Sequence, residues 1–166
     1  LPQLSFHSPV GDLTLFAEDG AIIALEWGWG AAFGETNDQH APLLREAQSQ
    51  LNAYFDGARS AFSLPLAPSG TPYRKRVWNA LATIAAGSTV SYADLARQIG
   101  GCPRSIGGAM GANPIPILIP CHRVVATSGQ GGYSGGEGLP TKLFLLALER
   151  RTLSLPSTDQ PSMEFQ

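Results

Sequence analysis

Ser91-Tyr-Ala-Asp-Leu-Ala-Arg-Gln-Ile-Gly-Gly-Cys-Pro-Arg-Ser-Ile-Gly-Gly-Ala-Met110 decides how this chain folds. Ser91 is a good N-cap for a helix from Tyr92 to Ile99, because its hydroxyl can accept from a backbone N–H that the first turn leaves unpaired. Gly100-Gly101 ends that helix, and Pro103, which has no N–H to lose, opens the next one through Met110. Two short helices separated by a glycine-containing turn form a helix-turn-helix. The second helix is bare: Ser105, Gly107, Gly108, Ala109 and Gly111 leave its backbone nearly uncovered, with one long side chain, Arg104, at its start. A glycine costs a helix interior about 1 kcal/mol, so the bareness needs a reason. Either another helix packs closely there, or the backbone approaches something narrow.

Upstream, the chain reads differently. Leu4-Ser-Phe-His and Leu13-Thr-Leu-Phe, joined by Ser8-Pro-Val-Gly-Asp, form a hairpin, and Ala21-Ile-Ile-Ala-Leu-Glu-Trp27 adds a third strand. Leu43, Leu44, Ala47, Leu51 and Tyr54 then recur at helical spacing up to Phe55. After Leu66-Ala-Pro-Ser-Gly-Thr-Pro72, which marks a boundary, Val77, Leu81 and Ile84 share one face of a helix over residues 73–84, with Trp78 beside that face. The expected fold is α/β in the α+β sense: a small strand-rich amino-terminal domain, residues 1–70, packed on a mainly helical domain, residues 71–151. The remainder, 152–166, is polar and proline-punctuated and is expected to be a disordered tail.

Charge divides along the same line. The formal net charge is −2, yet residues 1–72 carry two cationic side chains against eight carboxylates, and residues 73–151 carry nine against three. A basic half backed by an acidic one suits a protein that turns one face to phosphates. No apolar run approaches the roughly 18 residues that a membrane helix needs, since Pro114, Pro116 and Pro120 interrupt the longest. The opening Leu1-Pro-Gln-Leu-Ser-Phe-His lacks a secretory pattern, so a cytoplasmic location with no membrane partner is expected.

Reactivity concentrates in Asn113-Pro-Ile-Pro-Ile-Leu-Ile-Pro-Cys-His-Arg-Val-Val125. Only two cysteines are present, Cys102 and Cys121, too few for a disulfide framework or a zinc-site spacing. His7 and His40 have no cysteine partners in their half, so no metal site is expected. Cys121, followed at once by His122, is the candidate nucleophile, and Cys102 reads as incidental.

This segment, with Arg104-Ser-Ile-Gly-Gly-Ala-Met110 before it and Gly131-Gly-Tyr-Ser-Gly-Gly136 after it, resembles the O6-alkylguanine-DNA alkyltransferase family, the methylated-DNA-protein-cysteine methyltransferases, whose signature is a Pro-Cys-His-Arg-Val core. The resemblance runs from about Ser8 to Glu149. It departs at Tyr73-Arg74, where many members have Phe-Gln, and at Ala85, where many have proline. Neither lies in the reacting constellation.

The resemblance implies a ribonuclease-H-like amino-terminal domain and DNA repair by irreversible transfer of a methyl or small alkyl group from guanine O6, and also thymine O4, to Cys121. It makes the protein a single-turnover enzyme without a cofactor, acting on double-stranded DNA from the minor groove as a monomer that neighbours can touch. Arg104 would enter the base stack as the damaged nucleotide flips out, and Ser105, Gly107 and Gly108 would meet the groove. Tyr92 would stack or hydrogen-bond near the flipped base and its phosphate.

An unperturbed thiol of pKa ~8.5 is mostly protonated at neutral pH, so His122 would serve as base for Cys121 through a water, since neighbours on an extended segment point to opposite sides. Glu149 would orient the imidazole. Asn113 would tie the turn after the bare helix to the cysteine segment. Met110, Pro116 and Tyr133 would wall the alkyl cleft, Ser134 would offer its N–H to O6, and the carbonyls of Cys121 and Val124 would receive the exocyclic amine. Arg123 would brace the fold or meet phosphate. The glycine-rich stretch 126–138 would close over a base. Two other functions are compatible with parts of the chain: a lesion-binding relative that performs no transfer, whose kind replaces the cysteine, and a cysteine hydrolase, which would need neither Arg104 nor the bare helix.

Overall fold

The computed structural model describes residues 1–30, 39–129 and 131–152. Its first half is an antiparallel meander of β1 (Gln3–Phe6), β2 (Leu13–Glu18) and β3 (Ala21–Trp27), with α1 (Ala41–Phe55) packed against it. Asp19 and Gly20 connect β2 to β3, both at positive φ, 50° and 79°. That two-residue turn matches the right-handed twist of the flanking strands and sets the pairing of Glu18 with Ala21. Leu13, Leu15, Ala17, Ile22 and Leu25 from the sheet and Leu44, Ala47 and Leu51 from α1 are buried together.

The segment read as a boundary is partly structured. Leu66 bridges Ile22 in parallel, with the Ile22 N–H donating to Pro65 O and the Ala67 N–H to Ile22 O, both at 2.9 Å. Unpaired groups of β3 find partners there, as buried backbone must.

The second half begins with α2 (Pro72–Leu81), capped by the Thr71 hydroxyl, which accepts from the Arg74 N–H. The helix stops short of Ile84, whose N–H instead closes a turn onto Leu81 O. Val77, Trp78 and Leu81 are fully buried, and the Trp78 indole donates to Ala109 O at 2.9 Å. Next come β4 (Val90–Ser91), α3 (Tyr92–Ile99) and α4 (Pro103–Gly111). Ser91 Oγ accepts from the Asp94 N–H at 2.9 Å, and Gly100 leaves the helix at φ 95°, as the residue types require.

A single 3-10 turn, Cys121–Arg123, leads into β5 (Val124–Val125), which pairs in parallel with β4. Cys121 and His122 are therefore not neighbours on an extended segment, as the sequence had suggested. Pro120 and the Arg123 N–H, which donates to Pro120 O, wind the chain there. The last helix is α5 (Leu139–Thr152). Thr152, placed by sequence in the tail, closes this helix by donating to Leu148 O, and residues 153–166 lie outside the described ones. The α+β fold expected from sequence is what the chain forms. No helix among the described residues is long and apolar enough to cross a membrane.

Candidate active site

Glu149 is 1 % exposed and its carboxylate collects four hydrogen-bond contacts. Arg123 forks onto it, Nε to Oε1 and Nη2 to Oε2, both at 2.9 Å, while Arg123 Nη1 donates to Ile84 O. His122 Nε2 lies 2.6 Å from Oε2, and the Tyr54 hydroxyl donates to the same oxygen at 2.6 Å. Burial alone would push this carboxyl up, but His122 and Arg123 outweigh it and hold its pKa well below the usual carboxylate range. Burial is also the main influence on His122, and it lowers the imidazole pKa despite the carboxylate.

An ionised carboxylate can only accept. A neutral His122 must therefore donate its Nε2–H to Glu149, which leaves Nδ1 as the bare lone pair. His122 is fully buried, and Nδ1 meets no hydrogen-bonding group of the protein. It is a base without a bound proton, one residue from Cys121.

Cys121 is buried at the start of its turn, and burial pushes the thiol up. A hydrogen bond with Asn113 and the Lys142 ammonium work in the opposite direction. The thiol is therefore protonated at neutral pH. Asn113 clamps the segment before it: Nδ2 donates to Ile119 O and Oδ1 accepts from the Ile115 N–H, both at 2.9 Å. Between these bonds sits Ile117, buried and at φ 72°, a conformation that a β-branched residue adopts only when its surroundings impose it. Lys142 Nζ donates to Val124 O at 2.7 Å and to Gly132 O at 3.2 Å, joining α5 to β5 and to the glycine-rich loop.

Cys121 lines two adjoining cavities. One of about 320 Å³ is bounded by Tyr92, Gly107, Met110, Gly132 and Tyr133, and the other, about 460 Å³, extends past Asn113 and Pro116 to β3. On the rim, α4 packs inward through Ile106 and Ala109. A Cβ built on Gly107, Gly108 or Gly111 would meet nothing within 4 Å. Close helix packing therefore does not account for these glycines, and the bare backbone faces open space beside the cleft, with Arg104 exposed at its start.

Residues 4–68 match the ribonuclease-like domain of 6-O-methylguanine DNA methyltransferase, and residues 72–151 match its DNA-binding domain. The chain belongs to the 6-O-methylguanine DNA methyltransferase family. The constitutive methylated-DNA–protein-cysteine methyltransferase of Bacillus subtilis is 40 % identical, over 87 % of this chain and 92 % of that one. The Mycobacterium leprae methylated-DNA–protein-cysteine methyltransferase is 40 % identical, over 88 % and 90 %. A crystal structure of Mycobacterium tuberculosis OGT in complex with DNA superposes with a TM-score of 0.79 at 39 % identity, covering 90 % of this chain and 93 % of that one. DNA repair by alkyl transfer to cysteine follows from this membership, and neither lesion binding without transfer nor cysteine hydrolysis is favoured.

Against the methyltransferase reading of the sequence, the fold brings Cys121, Asn113, Met110, Pro116, Tyr92, Tyr133, Ser134 and Gly107 to the cleft. Gly108 lies exposed on the same helix. Ser105 is engaged elsewhere: its hydroxyl pairs with the Cys102 backbone and with Tyr73 OH at 2.9 Å, fastening the start of α4 to α2. The Val124 carbonyl already accepts from Lys142. Arg123 braces the carboxylate.

Sequence alone does not point to Tyr54, Lys142 or Trp27 as parts of the site. Tyr54 falls on the apolar face of its helix. Lys142 carried a visible signal, a cation on the same helical stripe as Leu145, Leu146 and Glu149, all buried. Trp27 read only as the end of a strand, and nothing local tells that it borders the cleft. Among the described residues no cluster of His, Cys, Asp or Glu could hold a metal.

Proposed function

We propose that the protein removes a methyl or small alkyl group from guanine O6 in double-stranded DNA, and also from thymine O4, onto Cys121. The observation that carries the assignment is the ionised Glu149 holding His122 by Nε2, which leaves Nδ1 free to take the thiol proton through a water. The thiolate sulfur then bonds to the alkyl carbon as the carbon–O6 bond breaks. The electron pair leaves with guanine, which takes up a proton. A thioether offers no easy route back, so each molecule acts once.

Residues 71–151 bind DNA and carry out transfer, while residues 1–70 support them. The glycines of α4 let its backbone approach the minor groove, too narrow for a helix bearing long side chains. Arg104 fills the space that the flipped base vacates, and the base enters the cavity beside Tyr92, Met110 and Tyr133. Ser134 presents its N–H to O6. The protein works as a monomer in the compartment that holds the DNA, the cytoplasm in a cell without a nucleus.

The test is the intact mass after incubation with duplex DNA carrying O6-methylguanine. A gain of one methylene, mapped to the peptide containing Cys121, is expected. An unchanged mass, or a methylene mapped to Cys102, overturns the assignment.

A further inference from the structure

Tyr133 and Ser134 stand on a loop, residues 131–138, that belongs to no strand or helix. Its two ends are tied from within their own half. Lys142 Nζ donates to Gly132 O at 3.2 Å, the Glu137 N–H donates to Thr141 Oγ1 at 2.9 Å, and the Gly138 N–H donates to Gly135 O at 2.8 Å. The middle of the loop meets the other half of the molecule instead, at Trp27 of β3.

That contact is close. A Cβ built on Gly135 would lie 2.5 Å from Trp27 Cζ3 and 2.6 Å from Cη2, and one on Gly136 would lie 2.9 Å from Nε1. Gly136, at φ 54°, has a backbone reason to be glycine. Gly135 has no positive φ, so what excludes a side chain there is the indole, together with the Tyr133 ring, whose Cε2 would be 2.9 Å away. The Tyr133 ring itself stands edge-on to the indole, with centroids 6.3 Å apart at 88°. Loop backbone and Tyr133 ring therefore rest on one plate.

The plate is fixed from behind. Trp27 pairs with Leu13 in the β2–β3 ladder, and its Nε1 donates to Val10 O at 3.0 Å. Val10 lies in the turn between β1 and β2, closed by the Gly11 N–H donating to Ser8 O at 3.1 Å. Gly11, at φ 107°, brings that turn against the indole, a Cβ there falling 3.7 Å from Cδ1. Held on both sides, a ring with only two torsions has little freedom to yield.

We propose that Trp27 is a positioning residue for alkyl transfer: through this indole the strand-rich half sets where the loop presents Tyr133 and the Ser134 N–H to the flipped base. This rests on the alkyl-transfer reading above. A displacement of about 1 Å in a group that positions substrate can slow a reaction on the order of 10²-fold, so the depth at which the loop is stopped governs the rate.

A double-mutant cycle in the full chain tests it, read as single-turnover rates on duplex DNA carrying O6-methylguanine at saturating protein. Trp27→Leu removes the plate, Gly135→Ala pushes the loop off it, and each lowers the maximal rate by about tenfold or more. In the Trp27→Leu background the alanine costs little more, because it no longer meets the indole. Trp27→Phe, which keeps a ring under the loop, regains most of the rate. Affinity for undamaged duplex and the midpoints of the pH–rate profile stay at their wild-type values in each variant, which a general loss of structure would not allow. Wild-type rates in the folded single variants, or losses that multiply in the double variant, overturn the proposal.

Hydrogen exchange gives a readout that needs no chemistry. Amides of residues 131–138 exchange faster in Trp27→Leu and in Gly135→Ala, while those of α1 keep their protection, and unchanged exchange in the loop also overturns the proposal. Should Trp27→Leu fail to fold, Gly135→Ala alone still carries both measurements. If the wild type transfers no methyl at all, the alkyl-transfer reading fails, and exchange still decides whether Trp27 holds the loop.

Discussion

Tyr54 donates a 2.6 Å hydrogen bond to Oε2 of Glu149, 95 residues away in sequence and in the other half of the molecule. The same oxygen meets His122 Nε2 and Arg123 Nη2. Burial, followed by the charge of Glu149, raises the Tyr54 pKa well above its ordinary value, so the hydroxyl is a donor at neutral pH. The strand-rich half thus withdraws electron density from the carboxylate that sets the basicity of His122.

Tyr54→Phe therefore makes Oε2 a stronger acceptor for His122 and favours the imidazolium. The acid limb of the pH–rate profile for alkyl transfer moves to higher pH, and stability falls by about 2 kcal/mol, as for a lost hydrogen bond to a charged group. If the variant's pH profile overlays that of the wild type while stability drops, Tyr54 is a strut and nothing more.

Glu149→Gln and His122→Ala slow transfer by about 10²-fold or more, with little change in affinity for undamaged DNA. The carboxylate has a second consequence. Its folded-state pKa lies below the unfolded value of about 4.3, so it stabilises the fold above that pH and ceases to do so as pH falls through the folded-state value. Removing the charge leaves Arg123 buried without its partner, at a cost of about 3–5 kcal/mol at pH 7. Urea unfolding at pH 7 and pH 3 should show the gap between wild type and Glu149→Gln narrowing in acid. A pH-independent gap contradicts this account.

Cys121→Ala abolishes transfer while DNA binding persists, and Cys102→Ala transfers normally. The two thiols separate by chemistry as well. Cys102 is exposed, and hydrogen bonds from Ser105 and Arg104 lower its pKa, whereas burial raises that of Cys121. Iodoacetamide should label Cys102 first, and the DNA lesion should label Cys121. Peptide mass mapping after each treatment checks the reversal.

Arg104→Ala reduces DNA affinity and its salt dependence modestly, by about one phosphate contact. Repair of a lesion in a duplex falls much further, because nothing fills the stack while the base is out. Reaction with free O6-alkylguanine base is nearly unchanged. An equal loss on duplex and free base means that Arg104 supports the cleft or the fold, and the finger role is then abandoned.

Gly107→Ala, Gly108→Ala and Gly111→Ala each meet open space. Each should stabilise the protein, by up to about 1 kcal/mol in the helix interior and less at its end. A larger side chain at Gly108, which lines neither cavity, should weaken DNA binding without harming stability or reaction with the free base. A Gly108→Leu variant that binds DNA normally removes the case for close groove approach.

The fold was legible wherever neighbouring residues determine the backbone. Ser91 caps its helix, Gly100 ends it, Pro103 opens the next one, and Ala21–Trp27 forms the third strand as its composition suggests. The candidate nucleophile Cys121 and its neighbour His122 stood out because they adjoin each other in an unusual apolar context, and the pairing of His122 with Glu149, which the structure shows, was legible only through resemblance. Errors appeared where the signal is weak: the 3-10 turn at Cys121–Arg123, the bridge at Leu66, and the ends of α2 and α5.

The sequence by itself determined the elements and the basic and acidic halves, because caps, breakers, periodicity and charge act within a few residues. Only the tertiary structure decided the electrostatics and the walls of the site. Whether Glu149 is ionised depends on the Arg123 fork and on Tyr54 arriving from α1, and how far the space beside Cys121 extends depends on where β3 places Trp27. The pKa of a buried group is a sum over whatever packs around it, and a cavity is the space that packing leaves. Neither quantity exists until distant parts of the chain have met.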